Sequence, residues 1–406
     1  MNEVRALVKA FDEAQDRGER CALATVVSVE GSSYRRPGAR MLVCEGGTST
    51  GTISAGCLEG DVIEHAKRVM RAGAAVLVEY DTASTSDEMA WGLGLGCNGI
   101  VRVLVEPLAP ASLYVEALRR SCEAHTDVAP VSVATVYQHT PPEPAAATAR
   151  IEIGARLFIY GDGDIGRENL SDRAAAMLES EARALSPEGG TCATRVIDAD
   201  GGVLKVFVET LLPPVPLVIF GAGQDVLPIL ELARGLGWQT EVVDPQARPA
   251  SRARFATADK VTLARPEHTC AEVDITPRTL ALLMSHNYSH DLALLRFLLS
   301  SPARYIGVMG PRKRTERMLS ELAANEDAPL LEEAGLARLH SPAGLDIGAN
   351  APAEIALSII AEMRAVLDGR RGGMLRERRG SIHGGQGDGE RVTTLSVESS
   401  LRAAVA

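Results

Sequence analysis

Three short segments recur along the first half of the chain in an unchanged order. Ala24-Thr-Val-Val27 is echoed by Ala134-Thr-Val-Tyr137, Gly38-Ala-Arg-Met-Leu-Val43 by Gly154-Ala-Arg-Leu-Phe-Ile159, and Val101-Arg-Val-Leu-Val-Glu-Pro-Leu108 by Leu204-Lys-Val-Phe-Val-Glu-Thr-Leu211. One match between apolar strands arises by chance. Three in register point to two copies of one α+β unit, about residues 1–109 and 128–212, packed as a pseudo-symmetric pair.

Within the first copy, Val4, Leu7, Val8 and Phe11 share one face of a helix over residues 3–17. Cys21–Val29, Arg40–Cys44, Ala75–Tyr80 and Ile100–Val105 read as strands, and a helical pattern runs from Leu58 to about Met70. Gly31-Ser-Ser-Tyr-Arg-Arg-Pro-Gly38 is turn chemistry carrying two arginines.

The prolines of Leu211-Leu-Pro-Pro-Val-Pro216 fix φ and remove donors, which makes this stretch a stiff linker. A further domain, 217–368, begins beyond it. Leu217–Phe220, Gln239–Val243, Leu280–Met284 and Tyr305–Met309 are apolar strands, alternating with helices at Asp225–Arg234 and Asp291–Ser300. That alternation predicts a parallel, doubly wound sheet. Pro352–Leu367 is a helix with proline in its first turn and Asn350 or Ala351 at its cap, and the glycine- and arginine-rich stretch 369–406 reads as a disordered tail.

The whole chain of 406 residues is 46% hydrophobic and 23% charged, enough for two or three soluble domains. A net charge of −11 argues against broad nucleic-acid binding, which needs a basic face to displace counterions. The start turns charged before a signal-length apolar core develops, and no apolar run reaches the roughly 18 residues of a membrane span. A cytoplasmic protein without membrane association is the expectation. Seven cysteines, with no CxxC pair and no Cys/His cluster at zinc spacing, predict neither a disulfide framework nor structural zinc.

Two of those cysteines lie among glycines: Cys57 in Gly51-Thr-Ile-Ser-Ala-Gly-Cys-Leu-Glu-Gly60 and Cys97 in Gly92-Leu-Gly-Leu-Gly-Cys-Asn-Gly99. Glycine keeps no side chain between the backbone and a ligand and tolerates positive φ, so these thiols suit a nucleophile, a soft-metal ligand or a sulfur carrier. Arg35, Arg36 and Arg40 are candidate activating cations. The bland alternative is a small apolar residue in a packed turn, the role assigned to the other five cysteines. The second copy has Gly166-Arg-Glu-Asn-Leu-Ser-Asp172 where the first has Cys57, which makes it scaffolding.

In the third domain, Phe220-Gly-Ala-Gly-Gln-Asp-Val226 follows a strand and opens a helix, where backbone N–H groups hold phosphates. Gly221, Gly223 and Gln224 are the candidate contacts, with Asp244 at the end of the next strand placed for a ribose hydroxyl. Val226 stands where the dinucleotide signature has its third glycine. His286, in Ser285-His-Asn-Tyr-Ser-His-Asp291, and Arg312 and Lys313, in Gly310-Pro-Arg-Lys-Arg-Thr315, lie at carboxyl ends of strands and could meet an anion. A helix cap and a solvated basic face are their structural alternatives.

Together with Val243-Asp-Pro245, Asp291-Leu-Ala-Leu-Leu295, Tyr305-Ile-Gly-Val-Met-Gly310 and Gly344-Leu-Asp-Ile-Gly348, these segments resemble the XdhC/CoxI family from about Leu23 to Leu367. The resemblance implies a Rossmann-like C-terminal domain after the duplicated α+β unit. It also implies an accessory factor, a chaperone more than a catalyst. Such a factor binds the molybdenum cofactor in mononucleotide or dinucleotide form and supports its sulfuration with a cysteine desulfurase. It then delivers the cofactor to an apo molybdenum hydroxylase of the xanthine dehydrogenase type; a homodimer is left open. Cys57 and Cys97 would carry the thiol chemistry, in a cleft shared with the glycine loop. Family members often have His where this chain has Gln224, which cannot change charge near neutral pH. An NAD(P)-dependent oxidoreductase and a regulatory nucleotide-binding protein are the competing readings.

Overall fold

The computed structural model describes residues 2–31, 33–81, 99–123, 129–141, 151–184, 192–199, 202–324 and 333–378. The chain divides into two compact units, Met1–Pro213 and Pro214–Ala406, meeting within the proline linker.

In the first unit, helix α1 (Asn2–Asp16) precedes strands β1 (Cys21–Gly31), β2 (Arg40–Cys44) and β3 (Ser49–Gly51), helix α2 (Glu59–Ala72), and strands β4 (Val76–Asp81) and β5 (Gly99–Leu108). Helix α3 (Leu113–Cys122) leads into the second copy. This comprises β6 (Val131–Thr140), β7 (Arg156–Ile159), β8 (Ile165–Glu168), α4 (Asp172–Ala184), β9 (Cys192–Ala199) and β10 (Gly202–Leu211). Each copy forms one antiparallel five-stranded sheet, in the orders β3-β2-β1-β5-β4 and β8-β7-β6-β10-β9. The two orders are the same topology. Thr25 faces Arg40 across β1 and β2, and Thr135 faces Arg156 across β6 and β7, so the echoed segments are equivalent pairs of strands.

Even the irregularity repeats: register shifts after Val26 in the first sheet and opposite Val136 in the second. The residues skipped there are Val27 and Tyr137, which pack with Leu104 and Phe207 into one buried cluster drawn equally from both copies. A bulge re-aims one side chain per copy toward the partner sheet. The opposite faces are closed separately, by Val62, Ala66 and Val69 of α2 in one copy and Ala175, Leu178 and Ala182 of α4 in the other.

The polar centre of this unit is a reciprocal exchange. Arg40 of the first copy pairs with Glu209 of the second, while Arg156 of the second pairs with Glu106 of the first, and all four are buried. Tyr114, at the start of α3, joins the halves: its hydroxyl accepts from Arg40 Nη2 at 2.7 Å and donates to Glu209 at 2.8 Å, and the Arg156 guanidinium lies 4.0 Å from its ring centroid. Burial alone would favour neutral arginines, but the facing carboxylates outweigh it and hold both guanidiniums above their ordinary value. Arg40 therefore does not serve as a cation beside Cys57; it is 7% exposed and committed to Glu209 and Tyr114.

The second unit is a six-stranded, wholly parallel sheet in the order β13-β12-β11-β14-β15-β16. Its strands are β11 (Pro216–Phe220), β12 (Gln239–Val243), β13 (Lys260–Thr262), β14 (Leu280–Leu283), β15 (Tyr305–Val308) and β16 (Leu339–His340). Its helices are α5 (Val226–Gly235), α6 (Ala250–Arg254), α7 (Thr269–Glu272), α8 (Tyr288–Ser300), α9 (Arg312–Ala324), α10 (Glu333–Leu336) and α11 (Pro352–Leu367). Residues of β11 and β14 alternate between two cores. Leu217, Ile219, Leu280 and Leu282 meet α5 and α11, whereas Val218, Phe220, Ala281 and Leu283 meet α8 and α9. That is the double winding expected from the alternation of strands and helices.

The helix expected from Asp291 begins earlier, at Tyr288, because the Asn287 side chain caps it by accepting from His290 N at 3.1 Å. Of the expected tail, residues 369–378 are described and include a 3-10 turn at Leu375–Glu377; residues 379–406 lie outside the described set. No helix among the described residues is long and apolar enough to cross a membrane.

Removing one member of a buried ion pair leaves the other charge uncompensated. Arg40→Met is expected to lower the stability of the first unit by about 3–5 kcal/mol. Arg40→Met combined with Glu209→Leu should recover most of that loss, read from urea unfolding followed by circular dichroism. Equal losses in the single and double variants would contradict the pairing.

Candidate functional site

Strand β11 lies between β12, which follows it in the chain, and β14, which is reached from β13 by crossing back, so the strand order reverses beside β11. The carboxyl end of β11 is therefore the switch point, the place where doubly wound sheets bind ligands. The sequence puts Gly221–Asp225 at one wall, immediately before α5, and Ser285–Asn287 at the other, immediately after β14. A Cβ on Gly221 would come 2.4 Å from the Met284 carbonyl oxygen, so only glycine lets the two walls meet at the sheet edge.

The loop is anchored from below: Gly221 N donates to Val243 O at 3.0 Å, and Met284 N donates to Phe220 O at 2.9 Å. From the side, Arg254 of α6 donates to Ala222 O at 3.0 Å. Among the described residues no acceptor from the fold meets the N–H groups of Gly223, Gln224 or Asp225. These amides and the start of α5 form an electropositive end. Gln224 is exposed there, as are Arg312 and Lys313 at the start of α9.

The two loops also share a pair that the sequence did not announce. His286 Nε2 donates to Asp225 Oδ2 at 2.7 Å, joining the two walls across 61 residues of sequence. His286 adopts φ +57°, in the left-handed region that residues with a Cβ seldom enter. The signal available beforehand was only that both residues follow strands in loops at the carboxyl edge.

Asp244 does not face a ribose. It is completely buried, and its carboxylate accepts from Gln246 N at 2.9 Å, Arg248 N at 3.1 Å, Arg248 Nε at 3.0 Å and Ser251 Oγ at 2.6 Å. Burial alone would raise its pKa; the donors of Ser251 and Arg248 reverse that and hold it below the ordinary aspartate value. Its task is to fold the Pro245–Ser251 loop, which contains Ala247 at φ +51°. Arg314, next to Lys313, is engaged too, pairing with the buried Asp291 at 2.7 Å.

In the first unit, Cys57 sits half-buried just before α2. Seven residues, Thr52–Leu58, separate β3 from α2, whereas only Asn169–Ser171 separate β8 from α4, so the cysteine belongs to a segment the second copy lacks. Gly56 turns the chain at φ +105°. Ser54 and Glu59, which nothing in the motifs singles out, build the loop. Ser54 Oγ accepts from the amides of Gly56, Cys57 and Leu58 at 3.2, 3.0 and 3.1 Å. Glu59 accepts in turn from the Ser54 hydroxyl, from Thr52 Oγ1 at 2.5 Å and from Ser54 N at 2.9 Å. A polar Thr-x-Ser ahead of a helix with Glu in its first turn was the available signal.

Of the expected activating cations, Arg35 is held by Glu3 at 2.6 Å, Arg40 is buried, and Arg36 is exposed. Cys97 lies outside the described residues. Cys21 and Cys44 are buried as expected, facing each other across β1 and β2 with sulfurs 2.9 Å apart, while Cys122 and Cys192 are only partly buried. Among the described residues no group of three or more His, Cys, Asp or Glu could hold a metal ion.

Burial would raise Glu59, but its hydroxyl and amide donors pull it down to about 2. A carboxylate depressed in the fold stabilises above its ordinary range, and that contribution is withdrawn as pH falls toward about 2. Glu59→Gln is therefore expected to loosen the loop and speed alkylation of Cys57 several-fold at fixed pH, measured by peptide mass spectrometry. In the parent protein the same rise should appear as pH falls toward about 2, when the rate with an acid-tolerant disulfide reagent is divided by that of a free thiol at the same pH. An unchanged rate in the variant would show that Glu59 does not hold the thiol in place.

Comparisons with known proteins bear on both units. Residues 14–81 match the XdhC and CoxI family, and residues 217–363 match the XdhC Rossmann domain. A probable xanthine dehydrogenase subunit from Bacillus subtilis (strain 168) is 32% identical over 363 residues, covering 89% of this chain and 97% of that protein. An uncharacterized protein of Escherichia coli K12, YqeB, is 27% identical over 238 residues, 58% of this chain and 43% of its own length. The crystal structure of a xanthine dehydrogenase from Bacillus halodurans superimposes with TM-score 0.69 at 28% identity, covering 90% of this chain and 97% of that one. With both units matched and a relative aligned over nearly its full length, the chain belongs to the XdhC and CoxI family.

Proposed function

We propose that this protein is an accessory factor for a molybdenum hydroxylase of the xanthine dehydrogenase type: it binds the molybdenum cofactor, supports its sulfuration and delivers it to the apo-enzyme. The observation that carries this reading is the set of amides at Gly223–Asp225 that meet no acceptor among the described residues, at the switch point of the second unit, within a family whose relatives are named for xanthine dehydrogenase. The cofactor's pterin carries a phosphate or a pyrophosphate. Amides at a helix start suit that end, with Arg254, Arg312 and Lys313 as supporting cations.

The cofactor brings its own sulfur ligands for molybdenum, so the chain needs no metal cage of its own. When bound, it supplies the molybdenum centre on which the hydroxylase depends. The chain supplies seating for the phosphate end and, in the first unit, the half-buried thiol of Cys57 on a segment absent from the second copy. A thiol held by a glycine turn beside a helix start suits receiving sulfur from a cysteine desulfurase. Burial of Asp244 weighs against the nicotinamide oxidoreductase, because the carboxylate that would grip a ribose diol is spent on its own loop.

Purification from cells that make the cofactor tests the reading directly. The protein is expected to carry molybdenum and a fluorescent oxidised pterin in near-equal amounts, by metal analysis and chromatography. Well-folded protein free of both would overturn it. Cys57→Ala, alone and with Cys97→Ala, is expected to keep the pterin but lower the sulfur-dependent activity of the hydroxylase it loads by about ten-fold or more. Full activity with the double variant would remove the thiols from the mechanism.

A further inference from the structure

The phosphate loop of the second unit already contains an anion. Asp225 occupies the cap position of α5, yet its side chain accepts no hydrogen bond from that helix. It folds back over the loop instead: Oδ1 lies 2.2 Å from where a Cβ on Gly223 would be, and Oδ2 receives the proton donor of His286. With glycine at 223 the carboxylate can lie directly against the loop backbone. The amides of Gly223, Gln224 and Asp225 next to it remain unpartnered among the described residues.

A carboxylate against a helix start lowers the affinity of that place for a second anion, since like charges repel and the terminus is partly neutralised. We propose that Asp225 is a resident gate: its carboxylate, tethered by His286, covers the glycine loop and swings away when a pyrophosphate-bearing nucleotide is seated. This rests on the reading of the loop as a phosphate site and adds its regulation. The swing breaks the His286–Asp225 bond, so the ring becomes a donor for the incoming phosphate from the wall formed by β14. His286 is 59% exposed and Asp225 25% exposed, so solvent reaches both members of the pair. The device makes the loop selective: only a ligand whose phosphate contacts outweigh the displaced pair opens it.

The test uses the full-length protein with ADP and inorganic pyrophosphate as calorimetric probes. Asp225→Asn and Asp225→Ala are each expected to bind ADP about ten-fold or more tightly than the parent. Asp225→Glu, which keeps the charge, should stay near the parent. Adding His286→Ala to Asp225→Asn should forfeit part of the gain. Thermal melting of each variant establishes that it is folded.

Equal or weaker binding by both neutral variants would overturn the gate, and so would an absence of binding by every form. Cofactor content on purification is a separate readout. Retained pterin without any gain in ADP affinity sinks only the gate, whereas a gain in ADP affinity without any co-purified pterin sinks only the cofactor reading.

Discussion

Two guanidiniums and two carboxylates, exchanged between copies, hold the first unit in its arrangement. Arg40 reaches Glu209 and Arg156 reaches Glu106, and each arginine has left water for a partner 169 or 50 residues away in sequence. Desolvated charges tolerate no loss of partner, so each pair ties one sheet to the other at a fixed point. The bulges at Val27 and Tyr137 follow the same symmetry and fill the space beside them. Tyr114 breaks it: one phenol on one helix serves both pairs, and the centre can hold only one.

A pair of equivalent copies is free to diverge once packing is secured. The strands and the Arg–Glu exchange are kept in both, but the connection before the helix is not. The first copy carries the longer segment with Ser54, Cys57 and Glu59, where a hydroxyl and a carboxylate satisfy the amides that approach the helix start. The second unit uses the opposite device. Its glycine loop has amides that meet no acceptor among the described residues, and Asp225 lies beside them. One helix start is closed by side chains that accept from its amides, and at the other the nearest side chain turns to His286 instead.

Much of this was legible in the residues. Alternation of apolar runs with glycine-bounded helices identified the parallel sheet, and β12 and α11 begin and end where the pattern predicts. The repeat fixed equivalent strands because its segments keep their order. The Gly221 loop and the His286 loop were both assigned to strand ends. Two site residues were misjudged for one reason: Arg40 and Asp244 look like surface groups by type, and each is buried with charged partners that sequence distance conceals.

Periodicity and glycine placement are local properties, carried by neighbouring residues and by backbone sterics, so the chain alone determined its elements, its duplication and the edge of the sheet where a ligand would sit. Which charge meets which is not local. The partnership of Arg40 with Glu209, the withdrawal of Asp244 into its own loop and the meeting of Asp225 with His286 arise when strands distant in sequence become neighbours. Ion pairs and hydrogen bonds act over a few ångströms, and only the folded sheet brings these groups within that reach.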